Sequence, residues 1–515
     1  MTHRIHQEEC IRKMLDRIYS NETSKGQVSL PTGTGKTRVQ VSVHMELMKK
    51  NHENSKLGVH VIGAHRLALC NQLLHEFIPK VIKNNLPFDI LFVGSDRFND
   101  DVVYSKYKDQ GINKYILGST STTRQEEVKI AYEKSKAFNR HLVIVSTYHS
   151  FDKLKVIPNI DICTYDEAHT LIGEQFFNNI LEVQNISHNF FFTATRKVQG
   201  NFGGMNNEEV FGEVIYEKSP REMIEAGKIV APRFHTIDSI DDGDFDNHSM
   251  LIKTTIEAFK EHRKKIKQCS KAPETIGAKL LITTSGNVEL KELIEDSNFI
   301  NFCMENNINV FSFSSEQGCT YNFQKYPRNS VMEIMQNLSD DQDAILLHID
   351  ILTEGIDLPS ITGIMPFREL NKTKLLQSIG RASRLLKTDR MKLYSGEISV
   401  KDKKEYIKPN CWILIPRFFK SLGDSNSMKD VVRSIVNSYE IPLEEYIVDD
   451  QYACLSDDDL DRITTRDSST KKDEESDLYS VYENVYIENL KGFVDGKPPK
   501  YWMLMFENHL ESDLL

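Results

Sequence analysis

No run of about 20 apolar residues occurs in this 515-residue sequence, so nothing in it reads as a membrane-spanning helix. The first nine residues hold no apolar segment of the secretory kind, and the expectation is a cytoplasmic chain. The eight cysteines form no C-x-x-C pair and fit no zinc-ligand spacing. They are expected to be free thiols in a reducing compartment. No short internal repeat is present, and no excess of positive charge. The net charge is −11, which by itself argues against a polyanionic partner. Its distribution removes the objection. Residues 421–515 hold 9 Lys and Arg against 22 Asp and Glu, leaving a net of +2 for residues 1–420. A body that is neutral overall is compatible with a local basic groove.

What is there is ordinary for a protein that buries cores: 39% hydrophobic and 27% charged residues. At roughly 150 residues per domain, the length suggests two to four domains. Short apolar runs at Val28–Leu30, Val59–Ile62, Leu142–Val145, Ile160–Tyr165 and Phe190–Thr193 alternate with stretches of helical spacing. The pattern returns at Lys279–Thr284, Ile308–Ser312, Ala344–Ile349 and Trp412–Ile415. Such alternation predicts parallel sheets with helices on both faces, in two halves. The halves are read as residues 1–225 and 251–420. Between them, 226–250 forms a connection marked by Gly227, Pro232 and an acidic run. Residues 96–140 read as a polar insertion, 421–515 as a small acidic C-terminal region, and 455–478 within it as a flexible linker.

Two motifs carry chemistry. Pro31-Thr32-Gly33-Thr34-Gly35-Lys36-Thr37 follows an apolar run and opens a helical one. Small residues there let consecutive backbone N–H groups wrap a phosphate. A lysine can bridge β- and γ-oxygens, and a hydroxyl can hold Mg²⁺. The first glycine of the strict G-x-x-x-x-G-K-[ST] pattern is absent, since Leu30 stands in its place. The second motif is Tyr165-Asp166-Glu167-Ala168-His169, at the end of a hydrophobic run. Asp166 there suits a Mg²⁺ shell, and Glu167 suits orienting and deprotonating an attacking water.

With Thr193-Ala194-Thr195 and Gln377-Ser378-Ile379-Gly380-Arg381-Ala382-Ser383-Arg384, these motifs resemble, in content and order, those of superfamily-two helicases of the DEAH/DExH kind. The resemblance covers roughly residues 1–420. It looks closest to the branch containing restriction motors and phage or repair DNA helicases. It implies two tandem RecA-like P-loop ATPase domains and assigns roles residue by residue. Arg4 and Gln7 sit where related motors read adenine. Gly355, Asp357, Gln377 and Gly380 join the nucleotide site, with Lys36, Asp166, Glu167, Arg381 and Arg384 catalytic. Thr37 and Asp166 are the implied Mg²⁺ ligands. His169, Thr193 and Thr195 would relay nucleotide state. His65, Arg66, Thr147 and Thr353 would touch the nucleic-acid backbone. Arg381 and Arg384, three apart on a helix, share a face and resemble arginine fingers.

The resemblance implies an ATP-dependent nucleic-acid helicase or translocase using ATP and Mg²⁺, with ATP hydrolysis between two lobes coupled to stepping along a strand. DNA is favoured over RNA. The other readings are an RNA helicase, a double-strand translocase that does not separate strands, and an ATP-gated binding switch. No membrane partner is expected. Protein partners would use 96–140 or the C-terminal region. The implied location is the cytoplasm, at the nucleoid in a bacterium or in the host for a phage gene.

Overall fold

The computed structural model of the chain describes residues 4–94, 121–172, 174–197, 204–238, 247–314, 316, 318–349, 360–367 and 372–417. The acidic C-terminal region and its linker lie outside these, as do Thr353, Gly355 and Asp357. The chain divides into two compact units, residues 1–218 and the part that starts at Ser219. Each holds an eight-stranded, mainly parallel sheet with its own helices, so the fold is the expected pair of tandem RecA-like domains. Among the described residues no helix is long and apolar enough to cross a membrane.

The first sheet contains β1 (Ser24–Ser29), β2 (Val59–Ala64), β3 (Phe88–Val93), β4 (Ser121–Thr122), β5 (His141–Thr147), β6 (Ile160–Tyr165), β7 (Ile186–Thr193) and β8 (Val214–Glu217). Their order is β4-β3-β5-β2-β6-β7-β1-β8, and every pairing is parallel. Successive residues of a strand point to opposite faces, and each face has its own core. From β5, Val143 and Val145 pack with Phe77 and Ile78 of α3 (Leu67–Asn84). Leu142 and Ile144 pack with Tyr148, Phe151 and Leu154 on the other side. Near β1, Phe190 and Phe192 join Met14 of α1 (Ile5–Ser20) and Val39 of α2 (Lys36–Glu53). Phe191, one step out of phase, stacks on Tyr165 at 4.5 Å across the opposite face. A slip of one residue would exchange these two sets, so the register is pinned.

Part of the expected polar insertion is built into this unit. Ser121–Thr122 pairs with β3, and the helix Gln125–Ala137 packs on β3 and β5.

The second sheet contains β9 (Ala231–Asp238), β10 (Lys279–Thr283), β11 (Asn309–Ser314), β12 (Gly318–Tyr321), β13 (Gln324–Tyr326), β14 (Ala344–His348), β15 (Gly363–Pro366) and β16 (Asn410–Arg417). The order is β13-β12-β11-β14-β10-β15-β16-β9, parallel except where β11, β12 and β13 run antiparallel. The unit opens with a capping box. The Ser219 hydroxyl accepts from Glu222 N at 3.2 Å, and the Glu222 carboxylate accepts from Ser219 N at 2.8 Å. Residues 231–238, read from sequence as part of the connection, form an edge strand paired along its length with β16. Pro232 made that stretch look like a turn. At a sheet edge a missing N–H need not cost a ladder bond.

Several histidines are buried. His44, His60 and His262 are fully enclosed. Burial pushes His44 and His262 down to about 3 and His141 to about 4, and lowers His60 strongly. His44 and His60 lie 3.3 Å apart through their Nδ1 atoms, so charging one penalises the other. A depressed folded-state value means the unfolded chain takes up protons first. Stability is then greatest above about pH 6.5 and falls as pH drops below it, by about 1.4 kcal/mol per pH unit for each such group. The thermal midpoint is expected to fall steadily between about pH 6.5 and about pH 5. A midpoint that stays flat over that range would show that these histidines are not buried neutral.

Candidate nucleotide site

The order of the first sheet places β7 between β1 and β6. All three are parallel, so their carboxyl ends share one edge, the edge at which open α/β sheets bind ligands. Three of the sequence motifs emerge there: residues 31–37 after β1, 166–169 after β6 and 193–195 at the end of β7. Leu30 N donates to Thr193 O at 3.0 Å, which continues the β1–β7 ladder into the loop.

The loop has the shape its small residues permit. Gly33 and Gly35 take φ of +84° and +94°. The Thr34 hydroxyl donates to Pro31 O at 2.6 Å and closes the turn. A methyl group on Gly35 would sit 2.3 Å from Gln7 Nε2. That close approach comes from α1, where Gln7 donates to Thr34 O at 2.9 Å and accepts from Arg4 N at 3.0 Å. His6, which the sequence reading passed over, also reaches Thr34 O at 2.9 Å. Arg4 and Gln7 are thus joined to the loop, with Gln7 buried.

Lys36 is buried at the head of α2, 3.3 Å from Leu30 O and 3.8 Å from Glu167 Oε1. Asp166 is buried too. Its Oδ1 accepts from Gln40 Nε2 at 2.8 Å, its N–H donates to Gly63 O at 2.8 Å, and its carbonyl accepts from the Tyr148 hydroxyl at 2.6 Å. Burial and the neighbouring Glu167 carboxylate push Asp166 up to about 6, against the pull of Lys36 and Gln40. Gln40 follows Thr37 by three positions, so the two share a face of α2, and that face meets the end of β6. A buried glutamine within the apolar run Val39–Val43 was the one sequence sign of this contact. Glu167 holds a left-handed backbone, φ +50°, which costs a non-glycine residue about 1–2 kcal/mol. The Thr170 N–H and hydroxyl both bond to its carbonyl at 2.9 Å and hold the turn.

His169 joins this box to Thr193. Its Nδ1 lies 3.0 Å from Thr193 Oγ1 and 3.4 Å from Glu167 Oε2. Thr193 gives its own proton to Thr195 O at 2.7 Å and accepts from Thr195 N at 3.1 Å. The histidine therefore donates from Nδ1 and keeps Nε2 as its acceptor nitrogen. Burial lowers His169 to about 4, so the ring is neutral near pH 7.

The segments expected to contact nucleic acid adjoin the same box. His65 and Arg66 follow β2, with Arg66 exposed at the head of α3. Thr147 is buried at the end of β5, whereas His149 is exposed and packs edge-on to Phe176 at 4.7 Å. Gly63 and Tyr148 bracket the backbone of Asp166, and a methyl group on Gly63 would lie 2.9 Å from the Tyr148 ring. In the second unit, the helix Lys372–Ala382 packs on β15 and β16 and carries Gln377, Gly380 and Arg381, with Arg384 just beyond its end. Gln377 and Arg381 are buried there.

The residues fit a magnesium–nucleotide complex. The loop is glycine-permissive and tightly braced, an ammonium sits at its end, and a buried carboxylate faces the hydroxyl-bearing turn of α2. Among the described residues no group of three or more His, Cys, Asp or Glu is arranged to hold a metal by protein side chains alone. Gly35→Ala combines the clash at Gln7 with a forbidden φ, and nucleotide affinity is expected to fall at least about tenfold. Titration with a fluorescent ATP analogue checks this, and unchanged affinity would refute the loop assignment.

Residues 1–198 match the family model described as Type III restriction enzyme, res subunit. No curated protein matches the chain. Among solved structures, the chain is similar to LlaBIII, an ATP-dependent Type ISP restriction-modification enzyme bound to DNA. Identity is 14% and the TM-score 0.61, over 97% of this chain and 33% of that one. It is also similar to a nuclease-deletion mutant of the Type ISP restriction-modification enzyme LlaGI in complex with a DNA substrate mimic. Here identity is 15% and the TM-score 0.53, over 85% of this chain and 28% of that one. The chain thus spans a third or less of the length of these enzymes, and at such identities the likeness is one of fold. Residues 1–198 are therefore a superfamily-two helicase-like domain of the kind the restriction-enzyme Res family describes.

Proposed function

We propose that this chain is an ATP-driven nucleic-acid motor that acts on DNA. The observation that supports this reading best is the convergence of Lys36, Asp166, Glu167, His169 and Thr193 at one sheet edge. In this reading Lys36 neutralises charge on the γ-phosphoryl group, and Glu167, held by its strained turn, orients and deprotonates the attacking water. Thr37 and Asp166 would hold Mg²⁺, which when bound supplies charge neutralisation on the phosphate oxygens. Arg4 and Gln7 recognise the base. Arg381 and Arg384 of the second unit stabilise charge on the γ-phosphoryl group during turnover, and Gln377 and Gly380 shape their helix.

The hydrogen bonds support a relay of nucleotide state. His169 Nδ1 lies against both Glu167 Oε2 and Thr193 Oγ1, so in this reading a change at the phosphate reaches residues 193–195. On the nucleic-acid side, His65, Arg66 and Thr147 contact the backbone, a grip that is independent of sequence and weakened by salt. DNA is favoured by the R-x-x-Q and I-G-R-A-S-R patterns and by the DNA named with both Type ISP enzymes. A double-strand translocase that does not separate strands is the second reading.

ATP hydrolysis measured with single- and double-stranded DNA and RNA tests the motor reading and its preference for DNA. DNA is expected to stimulate turnover most. Equal or greater stimulation by RNA would refute the DNA assignment, and no stimulation by any of the four would refute the motor reading. Lys36→Ala and Glu167→Gln are each expected to lower kcat by at least about a thousandfold with the thermal midpoint unchanged. Turnover like the wild type in either would overturn the site.

A further inference from the structure

We infer that Lys408 is a positioning residue for Arg381 and Arg384, fastening the chain between the two arginines through backbone carbonyls. Lys408 is fully buried. Its ammonium group donates to Ile361 O at 2.7 Å, Ala382 O at 2.5 Å and Arg384 O at 2.6 Å. An ammonium has three protons to give, and all three are used. Two of the three acceptors, Ala382 O and Arg384 O, flank Ser383, one of the two residues that separate Arg381 from Arg384.

The local geometry explains why a cation belongs there. The helix Lys372–Ala382 ends between the two arginines, and the last carbonyls of a helix have no partner within it. They also carry the negative end of the helix dipole, which favours positive charge. Here each of the three consecutive carbonyls after Arg381 has its own donor. Ala382 O and Arg384 O bond to Lys408, and Ser383 O accepts from Val230 N at 2.8 Å. The Ser383 N–H and hydroxyl both bond back to Ile379 O, at 2.8 and 2.6 Å. The peptide that sets the relative direction of the two guanidinium groups is thus held at every residue.

The lysine is itself anchored. The buried Asp389 carboxylate accepts from Ile407 N at 2.8 Å and Lys408 N at 2.9 Å. Asp389 therefore fixes the backbone from which the lysine reaches, and adds an opposite charge. A methionine of similar length would fill the same space but take the ammonium away from the carbonyls of Ile361, Ala382 and Arg384. The arginines would then keep their charge and lose their fixed origin.

The inference rests on the reading of Arg381 and Arg384 as residues that act in ATP turnover, and the test separates the two. Steady-state hydrolysis is measured on the full chain with ATP, Mg²⁺ and each of single- and double-stranded DNA and RNA in turn. The variants are Arg381→Ala, Lys408→Met, Lys408→Gln and the double variant Arg381→Ala with Lys408→Met. Lys408→Met is expected to lower kcat by about tenfold or more while KM for ATP stays within about twofold. Lys408→Gln, which keeps two donors, falls between it and the wild type. The double variant turns over no more slowly than Arg381→Ala alone, because both changes remove the same contribution. If Arg381→Ala leaves kcat unchanged, the arginine reading fails and the inference fails with it. If Arg381→Ala is impaired while both Lys408 variants turn over normally, or if the two changes multiply in the double variant, only the role of Lys408 is refuted.

Discussion

Parallel hydrogen bonding of β7 between β1 and β6 is the constraint on which the candidate site depends. In a parallel sheet every strand ends on the same side, so the loops after β1 and β6 and the end of β7 become neighbours whatever their separation in sequence. The register is not free. Phe190 and Phe192 face one core while Phe191 and Tyr165 face the other, and a one-residue slip would reverse them. Packing on both faces therefore fixes the positions of polar groups at the edge.

Those polar groups are buried, and burial makes their bonding consequential. Asp166 has its side chain, N–H and carbonyl each engaged, by α2, by Gly63 at the end of β2 and by Tyr148 after β5. A network satisfied in this way is rigid, and losing one member strands the others in low dielectric. The same interactions connect the segment expected to bind nucleotide to the segments expected to bind nucleic acid. Glu167 sits in a backbone conformation that a glycine would adopt at less cost. The acid–base role proposed for Glu167 would account for a carboxylate in that conformation.

The second unit solves a comparable problem with a different residue. The helix that ends between Arg381 and Arg384 leaves carbonyls without partners inside it, and Lys408 donates to two of the carbonyls there. Burial lowers Lys408 to about 8, and the nearby Asp389 carboxylate opposes that shift. In both units a side chain remote in sequence holds a short motif in shape. Gln40 does so for Asp166, 126 positions away, and Lys408 for Arg384, 24 positions away.

Much of the fold was legible in the residue pattern. The strands with largely apolar runs, β2, β5, β6, β7, β10, β11, β14 and β16, stand where alternation placed them, whereas β1 starts at Ser24, ahead of the expected Val28–Leu30 run, and ends before Leu30. The strands that were not legible break that pattern for physical reasons. In β3, Asp89 interrupts the run and is tolerated because Arg140 pairs with it at 3.3 Å. In β15, Gly363 and Pro366 interrupt the apolar pattern, and Gly363 is needed because His262 would lie 2.5 Å from an added methyl group. Short motifs identified themselves because their chemistry is local: a glycine-permissive turn ending in a lysine, and adjacent carboxylates after an apolar strand. The sequence by itself determined the two-unit α/β plan and the residues of those motifs. Tertiary structure alone decided what braces them: His6 and Gln7 on the loop, Gln40 and Tyr148 on Asp166, and Lys408 on the arginine helix. Such contacts join residues whose spacing along the chain obeys no period, so only the packed sheet edge and the helix end bring them together.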